Sequence, residues 1–320
     1  MKNVTLRQLK VFEAVARHLS FSRAAEELHL TQPAVSMQVR SLEEDAGLAL
    51  TEQIGKKIFL THAGAELARH ARVIAQQLRA AEEALAAIRG VRGGQLSIGV
   101  VSTAKYFAPR LLAVFRARHP GIELRLGVYN REKIVRQLAD NEIDLAIMGR
   151  PPAELDTLAD AFAENPLVII AAPTHPLAAR RRIAPAGLSQ ETFLIREPGS
   201  GTRSAMERFF AEHEVILAHT FEMSSNETIK QAVMAGMGIA FISRRTIDLE
   251  LAVGRLVILH VAGTPVQRQW HLVRRAGKRP LLLADAFRKF LCEEGAALMD
   301  EKVTAPRRPR REKNGVDSRA

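Results

Sequence analysis

The stretch SFSRAAEELHLTQPAVSMQVRSLE, residues 20–43, contains two helical patterns separated by a short turn. Ser22 is a candidate N-cap for the first helix, because its hydroxyl can accept a hydrogen bond from a free backbone N–H group. Thr31 is the candidate N-cap of the second, and Pro33 falls in the first turn, where a missing N–H group costs nothing. The stretch therefore predicts two helices joined by a turn.

The helix predicted after Thr31 has two distinct faces. Val35, Val39 and Leu42 share one arc and can pack on neighbouring helices. The adjoining outward arc carries Gln32, Pro33, Ser36, Met37 and Arg40. Gln can pair with adenine and Arg with guanine or phosphate, and an α-helix fits the major groove of DNA. This face suits DNA recognition, and a small helical bundle with a solvated face fits the periodicity equally well.

The flanking segments complete a small domain. Upstream, residues 6–19 have apolar side chains at helical spacing. Downstream, residues 48–51 and 56–61 flank a glycine turn, which predicts a two-stranded wing. Lys56 and Lys57 lie at its tip and can contact phosphates, with an ordinary solvated turn as the alternative.

An alanine-rich, proline-free segment follows, with apolar residues at alternating spacings of four and three. These residues are Leu67, Ala71, Ile74, Leu78, Ala81, Leu85 and Ile88. Such a heptad seam is typical of a helix that pairs with a second chain. A long helix lying on its own domain is the alternative.

The remainder of the chain alternates between strand-like and helical patterns, so the predicted fold class is α/β. Residues 95–101, 122–128 and 143–148 are strand-like, with helical patterns at 107–119 and 132–140 between them, which predicts a parallel sheet. Six further candidate strands lie at 167–172, 193–195, 220–223, 239–242, 256–260 and 270–274. They are compatible with a second sheet domain.

The loops after these strands carry polar residues. In open α/β sheets, ligands bind beyond the carboxyl ends of strands, near helix N-termini. The rule selects residues 102–103, 130, 148–150, 198–203 and 224–226, which supply hydroxyls, amides and arginines. That combination suits an anion that is held without being transformed. For 198–203, an ordinary loop before a capped helix is the alternative.

Catalytic motifs are incomplete. Gly199-Ser200-Gly201 is not followed by the third glycine of a dinucleotide-binding fingerprint. His213 and His219 are six residues apart, so they do not share one face of a helix as zinc-protease ligands must. No GxxxxGK[ST] phosphate-binding sequence occurs. The sequence therefore indicates a binding protein and not an enzyme.

Composition limits the cellular setting. The 320 residues are 47% hydrophobic and 25% charged, and the longest apolar run, 167–172, is too short to cross a membrane. The N-terminus lacks the apolar core of a secretory signal, which predicts a cytoplasmic protein. Cys292 is the single cysteine, so neither an internal disulfide nor a multi-cysteine metal site is expected.

The net charge of +11 invites a nucleic-acid interpretation, but its distribution matters. Residues 302–320 contain seven basic and two acidic residues, together with prolines and no apolar periodicity. We expect the segment 299–320 to be a disordered basic tail, which either adds nonspecific attraction to DNA or only aids solubility.

Four segments together resemble the LysR-type transcriptional regulators: LRQLKVFEAVA at 6–16, residues 20–43, LTHAG at 60–64 and GQLSIGV at 94–100. The resemblance extends to about residue 298. Within that family the chain resembles the CbbR type, regulators of Calvin-cycle (RuBisCO) operons. The segments that support this closer resemblance are EQIGKK at 52–57, NREKIVRQLADNEIDLAIMG at 130–149, REPGSGTR at 196–203, SNETIKQAVMAGMGIA at 225–240, RQW at 268–270 and AFRKFL at 286–291.

The resemblance implies a domain organisation. It places a winged helix-turn-helix at 1–64, a linker and dimerisation helix at 65–92, and a periplasmic-binding-protein-like (type 2) effector domain at 93–298. Within the effector domain, subdomain I would comprise 93–162 and 268–298, and subdomain II 163–267. Such regulators form dimers and tetramers, bind and bend interrupted palindromes in double-stranded DNA, respond to a small effector and engage RNA polymerase.

The resemblance also implies roles for individual residues. Gln32, Pro33, Ser36 and Arg40 would face base edges, Ser22 and Thr31 phosphates, and Lys56 and Lys57 the wing contacts. The effector site would contain Ser102, Thr103, Asn130, Arg150, Ser200, Thr202, Arg203 and Asn226. Neither a metal nor a resident cofactor is expected. For the CbbR type, the resemblance implies an effector such as ribulose bisphosphate, phosphoenolpyruvate, ATP or NADPH.

One departure and two alternatives accompany this interpretation. Where the family usually has Phe-Glu-Arg in the wing, this chain has Thr51-Glu52-Gln53, so we expect looser packing of the wing. A LysR-type regulator of another pathway would share every feature except operator and effector. A cytosolic α/β ligand-binding protein with an unrelated helical appendage is a further alternative.

Overall fold

The computed structural model describes residues 4–55, 57–88, 93–277 and 281–300. The N-terminal domain contains α1 (Leu6–His18), α2 (Phe21–Leu28) and α3 (Gln32–Ala46), followed by strands β1 (Thr51–Ile54) and β2 (Lys57–Leu60). The two strands pair antiparallel and form the predicted wing. The predicted helix-turn-helix is thus confirmed.

The N-terminal helices begin at polar caps and meet in an apolar core. The Thr31 hydroxyl accepts a hydrogen bond from the Ala34 N–H group at the start of α3, as predicted. At α2 the prediction was wrong by two residues, because the Ser20 hydroxyl accepts the bond from Arg23 N–H and Ser22 lies inside the helix. The core is formed by Phe12, Val15, Ala24, Val35, Val39, Leu42 and neighbouring side chains.

The long helix α4 (His62–Ile88) follows the wing directly. Ala68 and Ala71 are buried in the N-terminal core, so the first turns of α4 belong to that domain. A boundary at residue 65 therefore divides a continuous helix. Farther along, Ile74, Leu78 and Leu85 are exposed by 39%, 44% and 57%. The apolar seam is thus accessible at these three positions.

The C-terminal domain, the expected effector domain, contains a five-stranded sheet of order β4-β3-β5-β12-β6. Its strands are β3 (Gly94–Val101), β4 (Ile122–Tyr129), β5 (Leu145–Met148), β6 (Thr157–Glu164) and β12 (Gln269–Arg275). The first three are parallel, as predicted, and β12 runs antiparallel to its neighbours. Helices α5 (Ala108–Arg118), α6 (Arg131–Ala139) and α10 (Leu282–Asp300) pack against this sheet.

The second part of the effector domain has its own sheets and core. Strands β7 (Leu167–Ala171), β10 (Ala240–Ser243) and β11 (Val257–Ile258) form one sheet, and β8 (Thr192–Arg196) pairs with β9 (His219–Met223). This second part also contains the helices α7 (Gly201–Glu212), α8 (Asn226–Met234) and α9 (Asp248–Ala252). The chain passes between the two parts at residues 164–167 and 266–269. We call the part with β3 subdomain I and the part with β7 subdomain II.

Within the described ranges, none of the helices combines the length and the apolar character needed to span a membrane. The predicted boundary of the basic tail was wrong by two residues, because Met299 and Asp300 are the last residues of α10. Residues 301–320 of that tail, residues 89–92 of the predicted linker helix, and Lys56 at the tip of the predicted wing lie outside the described residues.

Candidate functional site

The outward face of α3 is accessible and polar. Gln32, Pro33 and Arg40 are exposed, and Ser36 is half-buried beside them. The Arg40 side chain is 82% exposed, with its Nε atom 3.6 Å from a Glu44 carboxylate oxygen. Because Val35 and Val39 are buried on the opposite face, the polar side chains point away from the domain. The helix can therefore present them to a groove of DNA.

The wing is held to α3 by one carboxylate. Glu43 Oε1 accepts hydrogen bonds from Leu50 N–H at 2.9 Å and from Thr51 N–H at 3.1 Å, and the Thr51 hydroxyl donates to the same oxygen. These polar contacts anchor the position where the family usually has an aromatic residue. Lys57 is exposed at the start of β2, and Ser22 is exposed on α2.

A narrow cleft with a cavity volume of about 30 Å³ lies between subdomains I and II. It brings together six of the eight predicted effector residues, which are Ser102, Thr103, Asn130, Arg150, Ser200 and Thr202. Ser102 and Thr103 follow β3, and Asn130 follows β4. Ser200 and Thr202 surround the start of α7, where the first backbone N–H groups have no partner within the helix. Hydroxyl and N–H donors thus converge on one space.

The other two predicted residues point elsewhere. Arg203 forms ion pairs with Glu207 at 2.8 Å and Glu222 at 2.7 Å. Asn226 is 1% exposed, and its Oδ1 atom accepts a hydrogen bond from Arg196 Nη1 at 2.7 Å. Neither lines the cleft. Their interactions are internal to subdomain II, so the structure gives them a supporting position behind the cleft.

Two further arginines, Arg131 and Arg268, line the cleft and were missed as site residues from the sequence. Arg268 Nη1 donates a hydrogen bond to the Gly201 carbonyl at 3.2 Å. Burial lowers the pKa of Arg268 to about 10, and repulsion from Arg208, Arg150 and Arg131 adds to the effect. The charged side chains that act on Arg268 are thus all cations, which makes this part of the cleft attractive to an anion.

The cleft floor is tightly packed around Gly149. A Cβ atom at this position would lie 2.8 Å from both Arg268 Nη2 and Asn165 Nδ2, so only glycine fits without displacing them. Asn165 accepts a hydrogen bond from the Ser243 hydroxyl at 2.8 Å, and both residues are almost fully buried. This arrangement fixes polar groups of both subdomains around the base of the cleft.

Direct hydrogen bonds join the two subdomains beside the cleft. Tyr106, in a short 3₁₀ helix after β3, donates its hydroxyl proton to Glu227 Oε1 of α8 at 2.5 Å. Burial and this hydrogen bond both raise the pKa of Tyr106. Arg196 Nη2 donates to the Ser102 hydroxyl at 3.1 Å, across the same boundary. The cleft is therefore bridged by bonds that a ligand-dependent movement would have to keep or break.

Family models match both parts of the chain. The model described as the bacterial regulatory helix-turn-helix protein, lysR family, matches residues 6–65, and the LysR substrate binding domain matches residues 89–296. The recognition face of α3 lies within the first match and the cleft within the second.

Individual relatives agree with the family models. A RuBisCO operon transcriptional regulator of Allochromatium vinosum is 55% identical over 296 residues, covering 92% of this chain and 98% of that protein. The HTH-type transcriptional regulator CbbR of Rhodospirillum rubrum is 56% identical over 286 residues, covering 89% and 95%. Both are named as regulators of transcription.

A solved structure resembles the effector domain. The regulatory domain of Synechocystis PCC6803 CcmR, in complex with 2-PG, shares 42% sequence identity with a TM-score of 0.61. The similarity covers 63% of this chain and 96% of that domain. A chain similar in sequence and fold to the cleft-bearing domain thus holds a small molecule.

Proposed function

Since the chain belongs to the LysR family of bacterial transcriptional regulators, we propose that it activates the genes of a CO₂-fixation operon, the Calvin-cycle genes that include RuBisCO. The observation that carries this proposal is the identity of 55% and 56% to regulators named for that role, over about nine-tenths of the chain. Since the similarity runs through the effector domain, it supports the same pathway as well as the same fold.

The proposed DNA contacts divide into base readout and phosphate contacts. Gln32, Ser36 and Arg40 on the exposed face of α3 would read base edges, with Pro33 against the same groove. Ser22, Thr31, Lys56 and Lys57 would contact phosphates, which position the protein without reading sequence. A single helix reads too few bases for a specific operator, so the proposal requires two copies on an interrupted palindrome.

The exposed seam of α4 supports that pairing. Ile74, Leu78 and Leu85 present apolar side chains at heptad spacing, and burial against a second α4 would remove them from water. We propose a dimer through α4 and a tetramer through the effector domains. Bound to DNA in the cytoplasm, the assembly would bend its operator and contact RNA polymerase.

The proposed effector is a small phosphorylated or nucleotide anion in the cleft. Arg150 and Arg268 supply positive charge, while Ser102, Thr103 and Thr202 supply hydroxyl donors. Guanidinium groups bind phosphate and carboxylate oxygens through paired N–H donors, and the start of α7 adds backbone N–H groups. An anion would also relieve the mutual repulsion of the cleft arginines.

A footprinting experiment tests the proposal. Full-length protein is bound to DNA upstream of its RuBisCO operon, with and without ribulose bisphosphate, phosphoenolpyruvate, 2-PG, ATP or NADPH. We expect a protected palindrome whose hypersensitive sites, which report bending, change with at least one compound. A protein lacking residues 302–320 is the control for binding through the basic tail. Protection that no compound alters would refute the effector, and absence of protection at salt that suppresses nonspecific binding would refute the operator.

A further inference from the structure

A polar cluster joins the linker helix α4 to both neighbouring domains. The guanidinium of Arg72 lies 3.4 Å from the Glu142 carboxylate of subdomain I and 3.8 Å from the Glu13 carboxylate of α1. One turn farther along α4, Gln76 Nε2 donates a hydrogen bond to Asp144 Oδ1 at 3.0 Å. We call these five residues the interdomain cluster. It connects the DNA-binding domain, the linker helix and the effector domain at one place.

The interdomain cluster is largely buried on its Arg72, Gln76 and Asp144 side, whereas Glu13 is half-buried and Glu142 exposed, and it is incompletely hydrogen-bonded. Gln76 is 4% and Asp144 8% exposed, and the Arg72 side chain is 12% exposed. In the described part of the chain, Arg72 Nε and Gln76 Oε1 are buried without a hydrogen-bond partner. Buried polar groups that lack partners are costly, so such an interface contributes far less stability than a fully bonded or apolar one. The polar cluster alone therefore holds α4 on the effector domain only weakly, beside the hydrogen bond from Arg79 Nη1 to Gln95 Oε1 and the packing of Ala80 on the core of subdomain I.

Helix α6 connects this cluster to the effector cleft. Its N-cap residue Asn130 and its first residue Arg131 line the cleft. The helix has nine residues and a length of about 13 Å. Glu142 and Asp144 follow its other end, where the Ala139 carbonyl accepts a hydrogen bond from Arg275 Nη1 at 2.8 Å. Helix α6 thus begins at the effector cleft and ends just before the residues of the interdomain cluster.

The body of α6 is fixed to subdomain I. Ile134 and Leu138 are fully buried against β5 and its neighbours. Asp144 Oδ2 also accepts a hydrogen bond from Ser97 N–H on β3 at 2.9 Å. Rigid secondary elements are one physical route by which two distant sites can be coupled. Helix α6 offers such a route between the cleft and the place where α4 is docked.

We propose that the interdomain cluster is a releasable clasp, through which the state of the effector cleft sets the position of α4 and the DNA-binding domain. Glu142 and Asp144 are its positioning residues on the effector domain. The part of this inference that involves a ligand rests on the proposed function, but the contact itself can be tested without any ligand.

Hydrogen exchange on the ligand-free, full-length protein tests the contact. Glu142→Lys places a cation against Arg72, whereas Glu142→Gln only removes the carboxylate charge. We expect amide exchange across residues 72–82 of α4 to rise about threefold or more in Glu142→Lys, and less in Glu142→Gln. In an Arg72→Gln background, Glu142→Lys should have little further effect, because the repulsion is gone. Glu212→Gln, on the exposed end of α7, is the control for a lost carboxylate.

Operator binding with and without ribulose bisphosphate or 2-PG tests the transmission. Allosteric ligands typically change affinity about 5- to 150-fold, and we expect this factor to fall towards unity in Glu142→Lys with ligand binding in the cleft retained. Unchanged exchange in α4 would overturn the clasp. Increased exchange with a wild-type ligand response would overturn its coupling role. If neither compound alters operator binding by the wild type, the proposed effector fails, and the exchange experiment alone decides whether the clasp exists.

Discussion

Replacing Arg268 with methionine should stabilise the empty protein while weakening its ligand binding. Burial, followed by the cations Arg208, Arg150 and Arg131, lowers the pKa of Arg268 from 12.5 to about 10. One pKa unit corresponds to about 1.4 kcal/mol, so the charged form carries a penalty of roughly 3 kcal/mol at neutral pH. Because the folded-state pKa of this base is lowered, the penalty is complete below about pH 10 and is relieved as the pH rises above it.

The structure limits how much Arg268→Met can raise the free energy of unfolding. Methionine retains an apolar stem but loses the hydrogen bond from Arg268 Nη1 to the Gly201 carbonyl. Such a charge-assisted bond contributes about 1.5–3 kcal/mol, which leaves a net increase of at most about 1.5 kcal/mol in the free energy of unfolding. For a domain of about 200 residues, that increase corresponds to a rise of at most roughly 3–6 °C in melting temperature.

Ligand binding should change in the opposite direction. Loss of a charge-assisted hydrogen bond to an anion costs about 1.5–3 kcal/mol, or roughly 10- to 150-fold in Kd. Thermal unfolding and calorimetric titration with ribulose bisphosphate or 2-PG measure the two effects. Arg116→Met, at an exposed position of α5, controls for loss of an arginine. A lower melting temperature with unchanged affinity would refute the assignment of Arg268 to the anion site.

Three further substitutions test the other sites. Gln32→Ala should weaken binding to the cognate operator by about 1–3 kcal/mol with little change on nonspecific DNA, and equal losses on both DNAs would contradict base readout. Thr202→Ala should leave DNA affinity unchanged but reduce the ligand-dependent change in bending, so a wild-type response in a bending assay would remove Thr202 from the site. Leu78→Glu should shift the sedimentation equilibrium towards monomer, because it places a charge in the α4 seam. The control Glu82→Gln, one turn away, should leave the equilibrium unchanged. A dimer that persists in Leu78→Glu would contradict pairing through that seam.

Local sequence patterns predicted most of the N-terminal domain. The faces of α3 follow from helical periodicity, and Val35 and Val39 are buried as expected. The start of α2 was misplaced because serines lie on both sides of Phe21 and either can cap a helix. Strand β6 was missed because TLADAFAE alternates weakly, and only Phe162 among its residues is buried. Such an edge strand is specified by its partner β12 more than by its own sequence.

The sequence predicted only those cleft residues that directly follow a strand or open a helix. Ser102, Asn130 and Thr202 each follow a strand or open a helix, so a general rule for α/β sheets selects them. Arg268 follows a crossing between subdomains, about seventy residues beyond Gly201, and no local pattern links it to the cleft. Arg203 was predicted as an anion ligand, but Glu207 one turn later on α7 supplies a counter-charge within the chain itself. An arginine with an i,i+4 carboxylate is already paired before any ligand arrives.

The charges in the cleft also set the direction of its response. Arg150 of subdomain I and Arg268, where the chain crosses between the subdomains, line the cleft, whereas Arg131 beside them is ion-paired with Glu154 at 2.9 Å. Repulsion from Arg150 acts on Arg268 in the empty cleft, and on the proposed function an anion between them would turn that repulsion into attraction for both. A ligand shifts an equilibrium only by its different affinity for the two states, and under the proposed function that difference would come from the cleft cations. The same charge on Arg268 that destabilises the empty protein would then supply free energy for a ligand-dependent change.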